Sequence, residues 1–237
     1  MRKNRKKFDL RPITIKKNYM KNPFSSCLIE HGDTKVICCV SLEEKVPRWL
    51  RGKGKGWITS EYSMLPTATH TRTERESIKG KLSGRTQEIQ RLIGRSIRNV
   101  CDLDLLGERV LKIDCDVVSA DGGTRTASIN GAWVATRLAL NKLINNGILK
   151  VDPMKLGVSA ISCGIIGNNI YLDLDYDEDS NAYADANFVF NTQGQIIEIQ
   201  CTGEKGPISS SQFSEMFKIS KESCLNIFKI QQAAVKE

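Results

Sequence analysis

The chain has 237 residues, of which 40% are hydrophobic and 26% are charged, and its formal net charge at pH 7 is +8. It is long enough to bury a sizeable core, as one large domain or two small halves. No apolar run reaches the roughly 18 residues of a membrane-spanning helix, and no apolar stretch long enough for a signal peptide follows the basic N-terminus. We therefore expect a cytoplasmic protein without a membrane partner. The eight cysteines lack disulfide-framework spacing, and two histidines are too few to predict a zinc site.

Charge is unevenly distributed along the chain. Residues 1–25 contain nine Lys or Arg against one Asp, residues 48–98 contain twelve against four acids, and residues 173–185 contain six acids and no base. These segments are either solvated faces or a polyanion-binding surface with a carboxylate cluster inside it, because basic surfaces attract phosphate backbones. Charge alone leaves both interpretations open.

Hydrophobic periodicity predicts the elements of residues 25–100. Residues 25–43 predict two strands around a turn at 31–33. Residues 45–72 show no period and contain two prolines and two tryptophans, which predicts a long functional loop. A helix is predicted from Arg85, because its apolar residues fall on one helical face. Those residues are Ile89, Leu92, Ile93, Ile97 and Val100.

The next segment predicts a strand, a glycine-rich turn and a helix. Arg109–Val118 alternates between apolar and charged residues, which is typical of a strand with one charged face. Thr126–Asn146 predicts a helix that ends at Gly147. The turn between them lies in residues 120–127, Ala-Asp-Gly-Gly-Thr-Arg-Thr-Ala.

The second half repeats this order of strands and helix. Residues 158–166 predict a buried strand, and the residues after 168 predict a second strand that carries acids. Residues 187–200 predict a hairpin, and a capping box at Ser209 and Gln212 opens the last helix. The chain is thus predicted to be mixed α/β, a single domain with two pseudo-repeated halves, roughly 1–150 and 151–237.

Two glycine-rich helix starts are candidate anion sites. Amide groups at a helix N-terminus converge on an anion, and an arginine there forks onto phosphate oxygens. The first start contains Gly122, Gly123, Thr124 and Arg125, and the second is Ser-Gly-Arg-Thr at 83–86. Together they could hold one phosphate from two sides. Each could equally be a plain turn with its arginine in solvent.

The acidic segment is a candidate metal site. Closely spaced carboxylates repel one another unless solvent, basic residues or a metal relieves the repulsion. Oxygen ligands without histidine or cysteine favour Mg²⁺ or Mn²⁺. Alternation predicts that the acids at 173, 175, 177 and 179 lie on one side of a strand, with Asp185 further along. The alternative is that these carboxylates only cap turns or balance nearby arginines.

Several long motifs, in order along nearly the whole chain, resemble the ribonuclease PH family of phosphate-dependent exoribonucleases. They are RPITI (11–15), HGDTKVIC (31–38), GKGWITSEYSMLP (54–66), SGRTQEIQRLIGRSIR (83–98), DCDVVSADGGTRTASINGAWVA (114–135), LDLDYDEDSNAYADAN (172–187) and EIQCTGE (198–204). The resemblance implies an α/β (α+β) fold of the ribosomal S5 domain 2-like type. It implies a homohexameric ring built as a trimer of dimers.

The resemblance also implies an activity and its residues. Such enzymes trim the 3′ ends of tRNA precursors and other structured RNA, using inorganic phosphate and releasing nucleoside diphosphates, and the reverse reaction adds nucleotides. Mg²⁺ or Mn²⁺ is the expected cofactor. Asp185 or a metal-bound water would protonate the leaving 3′ oxygen. The expected phosphate ligands are Arg85, Gly123, Thr124 and Arg125; the catalytic and metal-associated acids are Asp179 and Asp185; the RNA contacts are Arg72, Arg75, Arg91 and Arg95.

Three positions depart from the family pattern. Thr67 replaces a usual arginine, Cys201 replaces a usual glycine, and Ala186 replaces a larger apolar residue. The first departure puts one RNA contact in doubt. A non-catalytic RNA-binding ring subunit and a subunit of a hetero-oligomeric degradation complex are the rival interpretations. Both rank below the enzyme, because the chain keeps the phosphate-site residues and the acids.

Overall fold

The computed structural model describes residue 2 and residues 5–236. Two β-sheets and their helices form the mixed α/β architecture that the sequence predicts. The strands are β1 Ile13–Lys17, β2 Ser25–His31, β3 Thr34–Glu43, β4 Trp57–Met64, β5 Val110–Ser119, β6 Val158–Ile166, β7 Asn169–Leu172, β8 Ala184–Asn191 and β9 Ile196–Thr202. The helices are α1 Glu76–Lys79, α2 Gly84–Asn99, α3 Leu103–Leu106, α4 Thr124–Asn145, α5 Tyr176–Asn181 and α6 Ser210–Lys236.

The first sheet has the strand order β1-β2-β3-β5-β4. Its pairs are antiparallel, except that β4 runs parallel to β5. The predicted hairpin of β2 and β3 is confirmed, with its turn after His31, and β5 has the predicted alternation of buried apolar and outward charged residues. Helices α2 and α4 cover the inner face of this sheet.

The second sheet has the order β7-β6-β8-β9 and is antiparallel throughout. The predicted hairpin of β8 and β9 is confirmed. Helix α6 packs against β6 and β8 and begins with the predicted capping box: the amide of Ser209 donates to Gln212 Oε1 at 2.9 Å, and the amide of Gln212 donates to Ser209 Oγ at 3.2 Å.

Helix α4 joins the two sheets. It contacts β2, β3 and β5 of the first sheet and β6 of the second, and most of its residues are buried. Gly131 permits the close approach, because a Cβ there would lie 2.5 Å from Cys38 Sγ on β3. The glycine-rich turn at the start of α4 is therefore anchored between the two halves.

Two predictions about local structure are wrong. The segment 45–72 is not one long loop, because β4 occupies Trp57–Met64 within it. Its apolar alternation is interrupted at an inward position, where Ser60 Oγ donates to Gln90 O of α2 at 2.6 Å. The acids do not lie along one strand, because β7 ends at Leu172 and the short helix α5 follows.

None of the helices in the described part of the chain is long and apolar enough to cross a membrane. All eight cysteines are free thiols, and most of them are buried.

Candidate active site

The glycine-rich turn ends at α4, where Gly123 is the N-cap residue. Gly122 and Gly123 have φ angles of 71° and 64°, a left-handed conformation that favours glycine. The amide groups of Gly122, Gly123, Thr124 and Arg125 have no hydrogen-bond partner among the residues that the structure describes. The turn therefore presents consecutive free donors at the positive end of a long helix, which is the arrangement that binds an anion.

The guanidinium of Arg125 is held in place from one side. Its Nη1 donates to Gln200 Oε1 at 2.9 Å, and its Nη2 lies 3.7 Å from Glu88 Oε2. Gln200 is oriented by Glu88, because its Nε2 donates to Glu88 Oε1 at 2.6 Å. The side chain of Arg125 is only 14% exposed, yet its buried Nε has no partner within the described residues. A bound anion would satisfy this donor.

The hydroxyl groups of the turn have different roles. The buried Tyr62 donates from its phenol to Thr124 Oγ1 at 2.9 Å, which leaves the Thr124 hydroxyl proton free for an anion. The Thr126 hydroxyl instead donates to Gly123 O at 2.9 Å, within its own turn. Thr124 is therefore the hydroxyl donor that the turn offers.

The second helix start lies at the beginning of α2. Ser83 caps this helix through a hydrogen bond of 3.1 Å from the amide of Thr86, so the arginine that follows the cap is fixed at the first turn. Arg85 is exposed and lines an open cleft of about 1130 Å³ together with Tyr62 and Arg75. The two helix starts are therefore connected through Tyr62, which lines this cleft and donates to the first turn of α4.

Asp179 and Asp185 belong to two consecutive elements of the second half. Asp179 is in α5, and Asp185 is near the start of β8. Partial burial raises the pKa of Asp179 above its ordinary value, and the nearby charges of Arg85 and Arg125 oppose this rise. Burial raises the pKa of Asp185, and the negative charges of Asp179 and Glu204 raise it further. The structure thus brings the two arginines and the two aspartates into one electrostatic environment.

Three other carboxylates of the acidic segment, those of Asp173, Asp175 and Glu178, are structural. Asp173 is buried and pairs with Arg5 and Arg11. Asp175 caps α5 in a capping box with Glu178, and Glu178 pairs with Arg2. For these acids the alternative interpretation is correct, since they cap a turn or balance arginines. Part of the basic N-terminus is consequently used inside the molecule rather than on a free polyanion-binding face.

The four arginines expected to contact RNA lie in two places. Arg72 and Arg75 are exposed in the segment between β4 and α2, and Arg75 lines the same cleft as Arg85. Arg91 and Arg95 lie on the exposed side of α2, beside a smaller groove of about 330 Å³. Arg95 Nη1 is 2.5 Å from Glu198 Oε2 of β9, so part of its charge is already balanced.

The carboxylates suit a hard divalent cation only in part. Among the described residues, no group of three His, Cys, Asp or Glu side chains is placed to hold a metal ion by itself. Mg²⁺, however, commonly uses one or two carboxylates and completes its shell with water and substrate phosphates. Asp179 and Asp185 form a pair of this kind, since the negative charge of Asp179 is close enough to raise the pKa of Asp185.

Several residues of the site have no local sequence signal. Tyr62 lies in the segment predicted to be a loop, and Gln200 and Glu88 come from β9 and α2. Glu204 follows β9, and its negative charge raises the pKa of both Asp179 and Asp185. The only sequence signal for these residues is that they fall within the motifs quoted above for the family resemblance.

Known proteins resemble this chain in sequence over most of its length. Residues 9–140 match the first domain of the 3′ exoribonuclease family, and residues 158–223 match the second domain. Ribonuclease PH of Caulobacter vibrioides is 53% identical over 226 residues, which cover 95% of each chain. Ribonuclease PH of Maricaulis maris is 56% identical over 211 residues, which cover 89% of each chain.

Solved structures show the same fold at much lower identity. Rice (Oryza sativa) Rrp46 superposes with a TM-score of 0.78 at 19% identity, covering 98% of both chains. A chain of the Archaeoglobus fulgidus exosome with RNA bound to the active site has a TM-score of 0.79 at 20% identity, covering 95% of this chain and 90% of that one. The fold class predicted from the sequence is confirmed.

Proposed function

The chain belongs to the ribonuclease PH family of 3′ exoribonucleases, and we propose that its glycine-rich turn binds the inorganic phosphate that cleaves RNA. The activity of this family is phosphorolytic, with phosphate as co-substrate. The observation that carries the proposed site is the set of amide donors at residues 122–125, which, like the nearby Nε of Arg125, have no partner within the described part of the chain.

In phosphorolysis the nucleophile has to be positioned correctly more than it has to be activated. Phosphate is already ionised at neutral pH, so no base has to remove a proton before it attacks. Its oxygen attacks the terminal phosphorus of RNA, the bond from phosphorus to the 3′ oxygen breaks, and a nucleoside diphosphate leaves. Arg85, Arg125, Gly123 and Thr124 would hold the phosphate in line and reduce its repulsion with the RNA phosphate.

The leaving 3′ oxygen develops negative charge and must receive a proton. Asp179 and Asp185 are the proposed catalytic acids, since partial burial raises the pKa of both and neighbouring negative charges raise the pKa of Asp185 further. The same pair would hold a Mg²⁺ or Mn²⁺ ion, which when bound supplies positive charge near the reacting phosphates. Glu204 adds negative charge beside this pair.

Phosphate dependence is the first expected result. End-labelled single-stranded RNA should be shortened from its 3′ end only when phosphate is added, with nucleoside diphosphates as products. Excess nucleoside diphosphate without phosphate should lengthen the RNA, because a phosphoanhydride is exchanged for a phosphodiester in a reversible reaction. Chromatography of the products measures both directions.

The Asp179→Asn variant, purified in parallel, controls for a contaminating nuclease. Nucleoside monophosphates formed equally well without phosphate would contradict phosphorolysis.

RNA would enter along the basic side of α2 and the adjoining segment. Arg72, Arg75 and Arg91 are exposed and available for phosphate contacts, whereas Arg95 would have to share its charge with Glu198. We propose tRNA precursors, and other structured RNA, as the substrates. The exposed Thr67 offers no charge at a position where the family usually has arginine.

We propose that the active form is a cytoplasmic homohexameric ring, a trimer of dimers. Its support is the similarity to ribonuclease PH and the fold shared with chains of solved exosomes, among them an archaeal exosome core. Eight free thiols suit a reducing compartment. The halves 1–150 and 151–237 would act as one domain, since α4 contacts both sheets.

Light scattering behind size-exclusion chromatography should give six times the mass of one chain. A mass of one or two chains at assay concentrations, with full activity, would contradict the ring as the active form.

A further inference from the structure

The back of the glycine-rich turn is held by a buried arginine from the start of the chain. The Nη1 group of Arg11 donates to the carbonyl of Asp121, and its Nη2 group lies 3.5 Å from the carbonyl of Gly122. Thr34, after the first hairpin turn, donates from its hydroxyl to Gly122 O at 2.6 Å and accepts from the amide of Asp121 at 2.9 Å. Both carbonyls of the turn therefore point to Arg11 and Thr34.

This arrangement fixes the direction of the amide donors. In a planar trans peptide, the N–H of one residue points opposite to the C=O of the residue before it. With the carbonyls of Asp121 and Gly122 drawn to the inside, the N–H groups of Gly122 and Gly123 must point away from Arg11. These are the first of the free amides that the turn presents.

Arg11 is itself fixed by Asp173. The carboxylate of Asp173 accepts from the Arg11 amide at 2.6 Å, from Nε at 3.1 Å and from Nη2 at 2.8 Å. Both side chains are buried, and His31 Nε2 and Arg5 Nη1 also lie 3.1 Å from this carboxylate. Burial by itself would raise the pKa of Asp173, but the interactions with His31 and Arg11 hold it well below the usual range.

The pair of Arg11 and Asp173 is also connected to helix α5. Asp173 has a φ angle of 56° and leads through Leu174 and the cap residue Asp175 into α5, which carries Asp179. A Cβ on Gly122 would lie 2.4 Å from Leu174 O, so the turn and this segment touch directly. One arginine–aspartate pair thus contacts both the anion-binding turn and the segment that positions a catalytic acid.

We infer that Arg11, held in place by Asp173, is a positioning residue for phosphorolysis. It orients the amide donors of the turn towards the attacking phosphate and sets the distance between the turn and Asp179. The inference rests on the proposed phosphate site. If the pair had only a structural role, its loss would lower the stability of the fold without a selective effect on phosphate binding. A positioning role instead predicts weaker phosphate binding with unchanged RNA binding.

The test is a comparison of two variants with a matched control. Arg11→Lys keeps the charge but loses the guanidinium fork, and Thr34→Val removes only the hydroxyl behind Gly122. The control is Arg137→Lys, which alters another buried arginine, paired with Asp152 at 2.8 Å and away from the turn. Melting temperature, kcat, KM for phosphate and KM for RNA are measured for each, at a temperature well below every melting transition.

Arg11→Lys should raise the KM for phosphate about tenfold or more, because charge-assisted hydrogen bonds are lost, and should lower kcat with an unchanged KM for RNA. Thr34→Val should show a smaller rise in the same constant. Arg137→Lys should change only the melting temperature.

An unchanged KM for phosphate in Thr34→Val, and in Arg11→Lys if it folds, would overturn the inference. Arg125→Ala is measured alongside: if it too leaves this constant unchanged, the proposed phosphate site has failed; if it alone raises the constant, only the inference has failed.

Discussion

Replacing Arg125 with alanine should raise the KM for phosphate and lower turnover, while RNA binding changes little. A charge-assisted hydrogen bond is worth about 1.5–3 kcal/mol, which corresponds to roughly a ten- to hundredfold loss. The loss should be of this size because Arg125 is mostly buried beside the free amides of the turn, where water cannot replace it. Steady-state rates over a range of phosphate concentrations, at saturating RNA, measure the effect.

Arg85→Ala should behave in the same way, because Arg85 opens the second helix start beside Asp179. A matched control is Arg91→Ala on the exposed side of the same helix, which should weaken RNA binding and leave the KM for phosphate unchanged. If Arg125→Ala loses RNA affinity but keeps its normal dependence on phosphate, Arg125 is an RNA contact and the assignment is wrong.

Local patterns predicted several of the elements that surround the site, although not β4 or α5. Helix α2 has an apolar face at helical spacing, β5 alternates from Leu111 to Val117, and the capping box of α6 is encoded within four residues. Helix α4 was predicted to begin at Thr126 and begins two residues earlier, at Thr124. The earlier start is important, because it makes Gly123 the N-cap and frees the amides that follow.

Contacts between distant segments could not be predicted from spacing. Arg11 and Asp173 are 162 positions apart, and Arg125 and Gln200 are 75 positions apart. Periodicity also failed for the acids, because a left-handed residue at Asp173 ends the strand pattern and turns the chain into α5. Which acids of the segment pair with arginines and which remain available at the site is therefore decided by tertiary contacts.

The largest effect is expected for Asp179 and Asp185. Asp179→Asn and Asp185→Asn keep the side-chain shape and remove the negative charge, so each should reduce turnover by orders of magnitude if these residues hold a divalent ion or protonate the leaving oxygen. RNA should still bind, with equal or higher affinity, because a negative charge that faces a phosphodiester has been removed. Single-turnover rates at saturating phosphate and Mg²⁺ measure the chemical step.

Asp177→Asn is the matched control for activity, because it makes the same chemical change at an exposed acid of the same helix as Asp179. Asp173→Asn is a reference for stability only, because Asp173 is buried and also fixes Arg11. Removing the charge of Asp173 breaks its buried ion pairs with Arg11 and Arg5, so the melting temperature should fall strongly. A variant of Asp179 or Asp185 that melts early but reacts at the normal rate would reassign that residue to the scaffold.

The pH dependence separates the two roles proposed for Asp185. Burial and the charges of Asp179 and Glu204 raise its pKa, so its carboxylate form is lost at a higher pH than for an ordinary aspartate, whose pKa is about 3.9. If Asp185 acts as a charged ligand, activity should fall as the pH decreases through the raised pKa. If Asp185 gives its proton to the 3′ oxygen, activity should fall as the pH increases through the same value. Because Asp185→Asn cannot titrate, its residual activity should lack that limb of the profile in either case.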